Sequence, residues 1–444
     1  MKKIFIIGAG LSSASLIDYL LKQSQEQGWQ ITVGDLFLES AERKVANHPH
    51  GRAIQFNIAE QKQRIAEITQ ADLVISMLPG SMHSLVAKEC LKYGKHLLTP
   101  SYVTAEMKQM DGAVRERGLI FLNEMGVDPG IDHMSAMRVI DKIKHKGGNL
   151  LSFKSFCGGL VAPACDDNPW NYKFSWNPRN VVVAGQGIAK FKENGQYRYV
   201  PYNQLFSTTS KVEMPGYGDF EVYPNRDSLQ YSELYGLDEI STIIRGTMRR
   251  PGFCEAWNIF VQLGCTDDSY IMEDSHLLSY RQYLGSFLPY RKGKSVEEKL
   301  AEFAGLSSDS AVMDKIRWLD IYSDEIIGLK NATPAMILQK VLEQKWVMTS
   351  HDRDLLVMQH QFEFDLEGQR KRIVSSMSCE GKDRENTAMS YTVGTPLAIA
   401  VKLIATGVIQ PIGVQIPTSP EIYKPILDEL EHLGIRFVEQ EVDL

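Results

Sequence analysis

The chain has 444 residues, of which 43% are hydrophobic and 23% charged, values typical of a globular protein with two or three domains. Its formal net charge of -7 and the lack of any basic run argue against a nucleic acid or an anionic membrane as partner. The six cysteines form no CxxC pair and no ligand-like spacing with histidine, so we expect neither a metal site nor a disulfide scaffold.

The amino-terminal segment MKKIFIIGAGLSS carries two lysines, an apolar run and small residues, as a signal peptide does. We expect it to belong to the folded protein, because an alternation of strands and helices begins inside it and continues past any cleavage site. No run approaches the roughly eighteen apolar residues of a membrane span. These features favour a cytoplasmic protein with reduced thiols.

A short strand, Ile4–Ile7, runs directly into the turn Gly8-Ala9-Gly10, and a segment with leucines at helical spacing follows. This order predicts a Rossmann-type unit, in which Gly8 permits the tight turn and Gly10 lets the backbone approach a pyrophosphate. N–H groups at the start of the helix, Leu11–Ser13, would face the phosphates. Ser13 stands where the fingerprint has a third glycine, so an ordinary tight turn is the alternative.

The second predicted strand, QITVGD, ends in Asp35, at about the distance from Gly8 expected of the acid that binds the adenine ribose. A carboxylate there accepts hydrogen bonds from the ribose hydroxyls and repels a 2′-phosphate. We therefore predict NAD as the cofactor, with NADP less favoured. The alternative is a loop aspartate that caps the following helix.

Three more apolar strands are predicted at 72–79, 95–99 and 118–124, with helices between them. Apolar strands alternating with helices are typical of an α/β fold with a doubly wound parallel sheet. Ligands of such sheets bind at the carboxyl ends of the strands, which here are Leu78-Pro79 and the stretch Thr99–Tyr102. The stretch NEMGVDPGIDH leaves the last of these strands, so its Asp128-Pro129-Gly130 bend is predicted to border the site.

Beyond residue 130 the sequence is rich in Gly, Pro, Asn and aromatic residues, as expected of strands and long loops that line a cavity. Arg226 and Arg245 stand in Pro- or Gly-flanked apolar segments. We interpret them as clamps for substrate anions, because a guanidinium binds a carboxylate in a bidentate fork. The alternative is that both are solvated surface groups.

Taken together, the sequence resembles the glutamate-forming saccharopine dehydrogenases, or saccharopine reductases, of lysine metabolism. The segments that carry this resemblance are DLVISMLP, TPSYV, NEMGVDPGIDH, CGGL, NPWNYKFSW, YPNRDS, IIRGTMR and AMSYTVGTPLAIAVKLI, in that order. The resemblance implies a Rossmann domain at 1–130, an inserted α+β substrate-binding and dimerisation domain at 131–274 and 351–389, a helical subdomain at 275–350, and a return to the Rossmann domain at 390–444. It also implies a homodimer.

In the family's reaction, NAD takes a hydride from saccharopine to give an imine and NADH, and water then converts the imine to L-glutamate and 2-aminoadipate 6-semialdehyde. By resemblance, the residues that would hold saccharopine are Ser101, Tyr102, Asp128, Arg226, Arg245, Gly246 and Thr247. Asp128, Cys157 and Tyr102 are the candidates for proton transfer. The residues that would hold the dinucleotide are Gly8, Gly10, Leu11, Ser12, Ser13, Asp35, Asn57, Ile58, Leu78, Pro100, Ser101, Val127, Asp128 and Pro129.

Each candidate for proton transfer also has a purely structural interpretation. Cys157 beside two glycines could be a small buried apolar residue, Tyr102 could anchor a sheet edge, and Asp128 could stabilise its own turn. Asp132 and His133 are expected to cap and begin the following helix instead of reacting.

Two other functions stay open at this stage. One is an imine reductase of polyamine synthesis, whose substrate has fewer carboxylates and more amines. The other is a non-catalytic dinucleotide-binding protein. Intact Arg226 and Arg245 favour saccharopine over both.

Overall fold

The chain divides into two units in the computed structural model, which describes residues 1–444. The first unit comprises 1–149, 365–369 and 377–439, and the second comprises 150–364, 370–376 and 440–444.

The sixteen strands are β1 Lys3–Ile7, β2 Gln30–Asp35, β3 Gly51–Gln55, β4 Leu73–Ser76, β5 His96–Leu98, β6 Ile120–Leu122, β7 Asn149–Val161, β8 Ile188–Glu193, β9 Gln196–Pro201, β10 Ser210–Met214, β11 Gly218–Pro224, β12 Thr242–Arg249, β13 Asp354–Leu366, β14 Gln369–Glu380, β15 Gly413–Gln415 and β16 Val438–Asp443. The seventeen α-helices are α1 Ala14–Gln27, α2 Leu38–Val45, α3 Gln61–Gln70, α4 His83–Tyr93, α5 Ala105–Gln109, α6 Asp111–Glu116, α7 Ile131–His145, α8 Pro178–Val182, α9 Tyr202–Leu205, α10 Gln230–Leu234, α11 Phe253–Leu263, α12 Tyr280–Ser286, α13 Val296–Ala304, α14 Ala311–Trp318, α15 Pro334–Lys345, α16 Ala388–Ala405 and α17 Pro420–His432.

The first unit is built on a seven-stranded sheet of order β15-β6-β5-β4-β1-β2-β3, in which every pairing is parallel. The predicted α/β doubly wound sheet is confirmed. The order reverses at β1, which pairs with β2 on one side and β4 on the other. Such a switch point opens a crevice at the carboxyl ends of the strands, so the turn at Gly8 and the segment after Ser76 border a ligand site.

Two strands of this sheet were not predicted from the sequence. Strand β3 has no fully buried residue because it forms the edge of the sheet, and its GRAIQ sequence lacks a continuous apolar run. Strand β15 has only three residues. Both obtain their strand conformation from the neighbouring strand to which they pair, which local sequence does not reveal.

The division into units differs from the predicted domain boundaries in several places. Residues 365–369 and 377–389, predicted in the substrate-binding domain, belong to the first unit, and 440–444, predicted in the Rossmann domain, belong to the second. Helix α7 lies in the first unit, beyond the boundary placed at residue 130, because it packs against α17 of that unit. The predicted helical subdomain 275–350 is not a separate body. Its apolar side chains share one core with those of Trp170 and Trp257.

Helix α16 lies in the first unit and packs against α1. Its mean hydropathy of 1.4 over 18 residues is high enough for a membrane span, although the sequence analysis expected no such segment. The protein itself buries 72% of this window, and a core helix meets the same test.

The second unit contains a mixed sheet of order β10-β11-β12-β7-β13-β14-β16, with the β8–β9 hairpin attached to β12. Strand β12 pairs antiparallel with β11 and parallel with β7. Its side chains therefore alternate between two faces. Met248 lies in an apolar cluster on one face, and the other face carries Arg245 and Thr247.

We expect Gly394→Ala to destabilise the first unit, because a Cβ at Gly394 would lie 2.8 Å from the backbone nitrogen of Leu16 in α1. Overpacking of this kind costs about 1–3 kcal/mol. The matched control is Gly112→Ala in α6, where a Cβ meets nothing within 4 Å. That change should stabilise by about 0.5–1 kcal/mol. Urea unfolding measures both, and equal effects of the two changes would contradict this account of the α1–α16 contact.

Candidate active site

The predicted dinucleotide turn occupies the carboxyl end of β1. Gly8 adopts φ +107°, a conformation that favours glycine, and its Cβ would meet the carbonyl oxygen of Met77 at 3.1 Å. Gly10 is exposed, and a Cβ there would meet nothing within 4 Å, so packing within the chain does not require glycine. No side chain caps the first turn, Leu11–Ser13. The open backbone and uncapped turn fit the phosphates of a dinucleotide.

Asp35 lies at the end of β2, as predicted, but its carboxylate is engaged by the backbone. Oδ2 accepts the N–H of Ala9 at 2.7 Å, and Oδ1 accepts the N–H of Phe37 at 2.9 Å. Lys44 brings a cation to the same turn, where its Nζ donates to the Gly10 carbonyl and, at 2.8 Å, to Ser13 Oγ. Burial, reinforced by the neighbouring charge of Arg43, lowers the pKa of Lys44 to about 8.

The remaining predicted dinucleotide residues follow the ends of neighbouring strands. Asn57 and Ile58 lie just beyond β3, where Asn57 Oδ1 accepts the N–H of Ala59 at 3.0 Å and Ile58 joins the apolar core of the first unit. Leu78 follows β4 and is half-buried. Pro100 and Ser101 follow β5. All these strand ends lie on one edge of the parallel sheet.

A chain of buried polar side chains leads to Ser101. The fully buried Ser76 hydroxyl lies 2.8 Å from Nδ1 of His83, and Nε2 of His83 lies 2.7 Å from Ser101 Oγ. Thr99 Oγ1 also lies 3.2 Å from Nε2. In the tautomer that carries its hydrogen on Nε2, the ring accepts from Ser76 and donates to Ser101 or Thr99, and a Ser101 hydroxyl that accepts this bond keeps its own hydrogen for a ligand. Burial lowers the pKa of His83 to about 4, so the ring is neutral.

Glu124 joins the two loops that follow β5 and β6. Its Oε1 accepts the N–H of Val103 at 2.9 Å, and its Oε2 lies 2.7 Å from Nε2 of His133, which is fully buried. Two backbone bonds of 3.1 Å, from Glu124 to Ser101 and from Met125 to Thr99, run between the same loops. The two loops therefore form one assembly.

The junction places Tyr102 against Asp128. The Tyr102 hydroxyl donates to Asp128 Oδ1 at 3.1 Å, and both side chains are half-buried. Val127 and Pro129 flank Asp128 and are buried, and the Asp128–Pro129 peptide is cis. The structure thus brings together the two predicted proton-transfer groups of the first unit.

The predicted helix start after Asp128-Pro129-Gly130 is confirmed, since α7 begins at Ile131. The N-cap residue is Gly130 and not Asp132, which lies in the first turn and accepts the N–H of Gly130 with its Oδ1 at 2.5 Å. A Cβ at Gly130 would lie only 2.0 Å from the carbonyl oxygen of Gly126. His133 lies in the first turn of the helix, and its side chain contacts Glu124.

In the second unit, the predicted residues meet on one face of the sheet. Thr247 on β12 lies beside Cys157 on β7, and Arg245 lies beside Ser155. The hydroxyl of Thr247 accepts a hydrogen bond from Asn225 Nδ2 at 2.9 Å. Cys157 is half-buried, which leaves part of its surface open.

The two predicted clamps differ in exposure. Arg245 is only 3% exposed, and its guanidinium lies 4.2 Å from the ring centroid of Tyr231. Arg226 is exposed and has φ +51°, with its carbonyl held by the N–H of Lys190 at 2.9 Å. Gly246 is explained by packing, because a Cβ would lie 2.5 Å from Cγ1 of Val222 on β11.

Three residues of this region were missed in the sequence. His83 and Glu124 obtain their roles from partners distant in sequence, which no local pattern reveals. Arg249 had a usable signal. It lies four residues after Arg245 on a predicted strand, and the period of two places both on the same face.

Comparison with known proteins identifies relatives along the whole chain. Residues 4–122 match the family model for the saccharopine dehydrogenase NADP binding domain, and residues 126–435 match that for the saccharopine dehydrogenase C-terminal domain. Over 453 residues, the chain is 32% identical to the Schizosaccharomyces pombe protein named saccharopine dehydrogenase (NADP(+), L-glutamate-forming), covering 100% of both.

Solved structures agree with this relationship. The apo, histidine-tagged saccharopine dehydrogenase (L-Glu forming) from Saccharomyces cerevisiae matches with a TM-score of 0.89 and 30% identity over 100% of both chains. A homospermidine synthase from Legionella pneumophila, in complex with NAD, has a TM-score of 0.58 and 9% identity, and covers 100% of this chain and 92% of that one. The second match shows a shared fold only.

The NAD preference predicted from Asp35 is wrong. The matching domain family is described as NADP binding, and the S. pombe relative is named as NADP(+)-dependent. The physical reason lies in the turn itself, where backbone N–H groups occupy the Asp35 carboxylate and Lys44 supplies a positive charge.

The buried neutral His83 predicts a pH dependence of stability. Its folded pKa of about 4 lies below the ordinary value of 6.5, so the unfolded chain binds more protons between these values and stability falls as pH falls through this window. We expect His83→Asn, which does not titrate, to reduce the loss of stability between pH 7 and pH 5 by about 2 kcal/mol. Urea unfolding at both pH values measures it. An unchanged pH dependence would show that His83 is not held neutral.

Proposed function

This chain belongs to the saccharopine dehydrogenase family, and we propose that it converts saccharopine and water to L-glutamate and 2-aminoadipate 6-semialdehyde with reduction of NADP. The observation that carries the proposal is full-length similarity to glutamate-forming relatives, combined with a cationic strand face in the second unit. The activity places the protein in lysine metabolism.

The substrate determines which side chains the site needs. Saccharopine has three carboxylates and a secondary amine, so its binding requires several cations. Arg245 is buried on β12, two residues before Thr247, which pairs with Cys157, and Arg226 follows β11. We assign each of them to a substrate carboxylate, because the guanidinium fork matches carboxylate geometry.

Proton transfer falls to a small set of groups. The secondary amine must lose its proton before hydride leaves the neighbouring carbon, and water addition to the imine needs a base. Asp128 is the acceptor we assign to these steps. The hydrogen bond from Tyr102 at 3.1 Å orients its carboxylate and could carry a proton to or from it. Cys157 stays the candidate in the second unit.

NADP supplies the hydride acceptor when it is bound. We assign its phosphates to the N–H groups of the turn Gly8–Ser13, and its 2′-phosphate to the side of the turn where Lys44 lies. The Ser101 hydroxyl, which His83 contacts at 2.7 Å, would orient either the substrate or the nicotinamide end of the cofactor.

The two alternative functions, a polyamine enzyme and a non-catalytic protein, are less well supported, each for its own reason. The homospermidine synthase shares the fold at only 9% identity, so a polyamine substrate has no support beyond architecture. A non-catalytic protein would have no use for a Tyr102–Asp128 contact and a buried Arg245 in the same chain. A homodimer in the cytoplasm stays a prediction.

The direct test is formation of NADPH, followed by absorbance, with saccharopine as the sole substrate. We expect turnover that depends on both saccharopine and NADP, together with release of glutamate. The parallel reaction with NAD serves as the comparison, and we expect it to be slower at equal concentration. No turnover with either cofactor would refute the proposed function.

We expect Arg245→Ala to lower kcat/KM for saccharopine by a factor that corresponds to about 2–5 kcal/mol of transition-state binding. The substitution would leave a desolvated substrate carboxylate without its partner. Arg226→Ala should act in the same sense, and Lys at either position should recover only part of the loss. Binding of NADP should barely change, since neither residue lies in the unit that carries the glycine turn.

The control for both clamps is Arg198→Ala on β9, an arginine of the same unit whose Nε lies 3.8 Å from Glu193. It should keep normal kinetics. If Arg245→Ala behaved like this control, the clamp assignment would be wrong.

A further inference from the structure

Arg249 is a buried cation for which the proposed site has no role so far. It ends β12 and is 4% exposed. The alternation of side chains along the strand places it on the face that carries Arg245 and Thr247. The thiol of Cys157 and the hydroxyl of Tyr223 lie within electrostatic range of its guanidinium. It therefore belongs to the face that carries the predicted substrate residues.

No carboxylate in the protein neutralises this cation. Arg249 forms no ion pair, and its one hydrogen bond runs from Nη1 to the carbonyl of Met248 at 3.0 Å. Its Nε is buried and has no partner. The residue aligned with it on β11 is Glu221, but the Glu221 oxygens accept the N–H groups of Gly252 and Cys254 at the start of α11.

Two aromatic rings provide its remaining contacts. The guanidinium carbon lies 5.1 Å from the ring centroid of Tyr172 and 5.3 Å from that of Phe253. Cation–π contacts recover only part of the free energy lost when a guanidinium leaves water. An opposite charge would offset the rest of that cost, and no carboxylate of the chain supplies one.

We infer that Arg249 binds a carboxylate of the substrate, as a third cationic contact beside Arg245 and Arg226. The inference rests on the proposed function, because saccharopine has three carboxylates and two clamps leave one of them unmatched. A guanidinium with an unused Nε–H presents the planar fork that a carboxylate fits. The two rings hold the side chain in place before the substrate arrives.

The test is Arg249→Met, which keeps an unbranched side chain against the rings and removes the charge. We expect KM for saccharopine to rise at least about tenfold, with an unchanged dissociation constant for NADP. Without substrate, the melting temperature should stay the same or rise, because an unpaired buried charge has been removed. Saccharopine should raise the melting temperature of the wild type, and it should raise that of the variant much less.

Two comparisons separate a binding role from a structural one. Arg249→Lys should recover part of the affinity, because it restores the charge without the fork. Arg250→Met is the matched control, since that neighbour donates to the carbonyl of Tyr217 at 2.6 Å and stacks on Phe220 at 4.4 Å. It should leave KM unchanged.

Each outcome has a defined meaning. A normal KM with a lowered melting temperature in Arg249→Met would overturn the inference and make Arg249 a structural residue. If the wild type fails to turn over saccharopine, the proposed function fails. The thermal shift caused by glutarate, a simple dicarboxylate, then still decides the inference. A shift in the wild type that Arg249→Met loses supports carboxylate binding, and an absent shift or an equal shift in both overturns it.

Discussion

The carboxylate of Glu124 is the contact on which the arrangement of Tyr102 and Asp128, the proposed proton-transfer pair, depends. One of its oxygens holds the backbone of Val103 and the other holds the buried ring of His133, so a single side chain connects the loop after β5 to the start of α7. Glu124 adopts φ +57°, a conformation that costs free energy for a residue with a Cβ. The buried contact between this acid and the imidazole of His133 helps to offset that cost, and removing either partner would take the bond away from a buried polar group. The position of Tyr102 against Asp128 follows from this connection.

Much of the fold could be predicted because it is written in local patterns. The strand–glycine–helix order of residues 4–27 and the apolar strands after it indicated a parallel sheet, and the sheet has that form. The bend at Pro129-Gly130 was correctly placed at the start of a helix. What escaped prediction depends on partners far away in sequence. Strand β3 is a strand because β2 lies beside it, and the limits of the units depend on which helices pack together.

The error at Asp35 has the same origin. An acid at the end of the second strand indicates NAD only where other groups do not engage it and no nearby cation offsets its charge. Here the N–H groups of Ala9 and Phe37 each bond one oxygen of Asp35. Lys44, near the end of α2, brings a positive charge to the same turn. Arg249 shows the reverse case. Its position on the strand face could be predicted from the sequence, whereas the lack of a carboxylate partner is evident only in the folded chain.

The insertion of the second unit within the first has a consequence for biosynthesis. The ribosome makes residues 1–149 first, but α16, β15 and α17, which complete the first unit, emerge only after residues 150–364. The α1–α16 contact joins a segment made before the inserted unit to one made after it, and the close approach at Gly394 requires the two helices to pack tightly. While the inserted unit is synthesised, the edge of β6 that later pairs with β15 therefore stays unpaired. Long-range pairings of this kind form slowly. During this interval the chain has the greatest need of chaperones to protect it from aggregation.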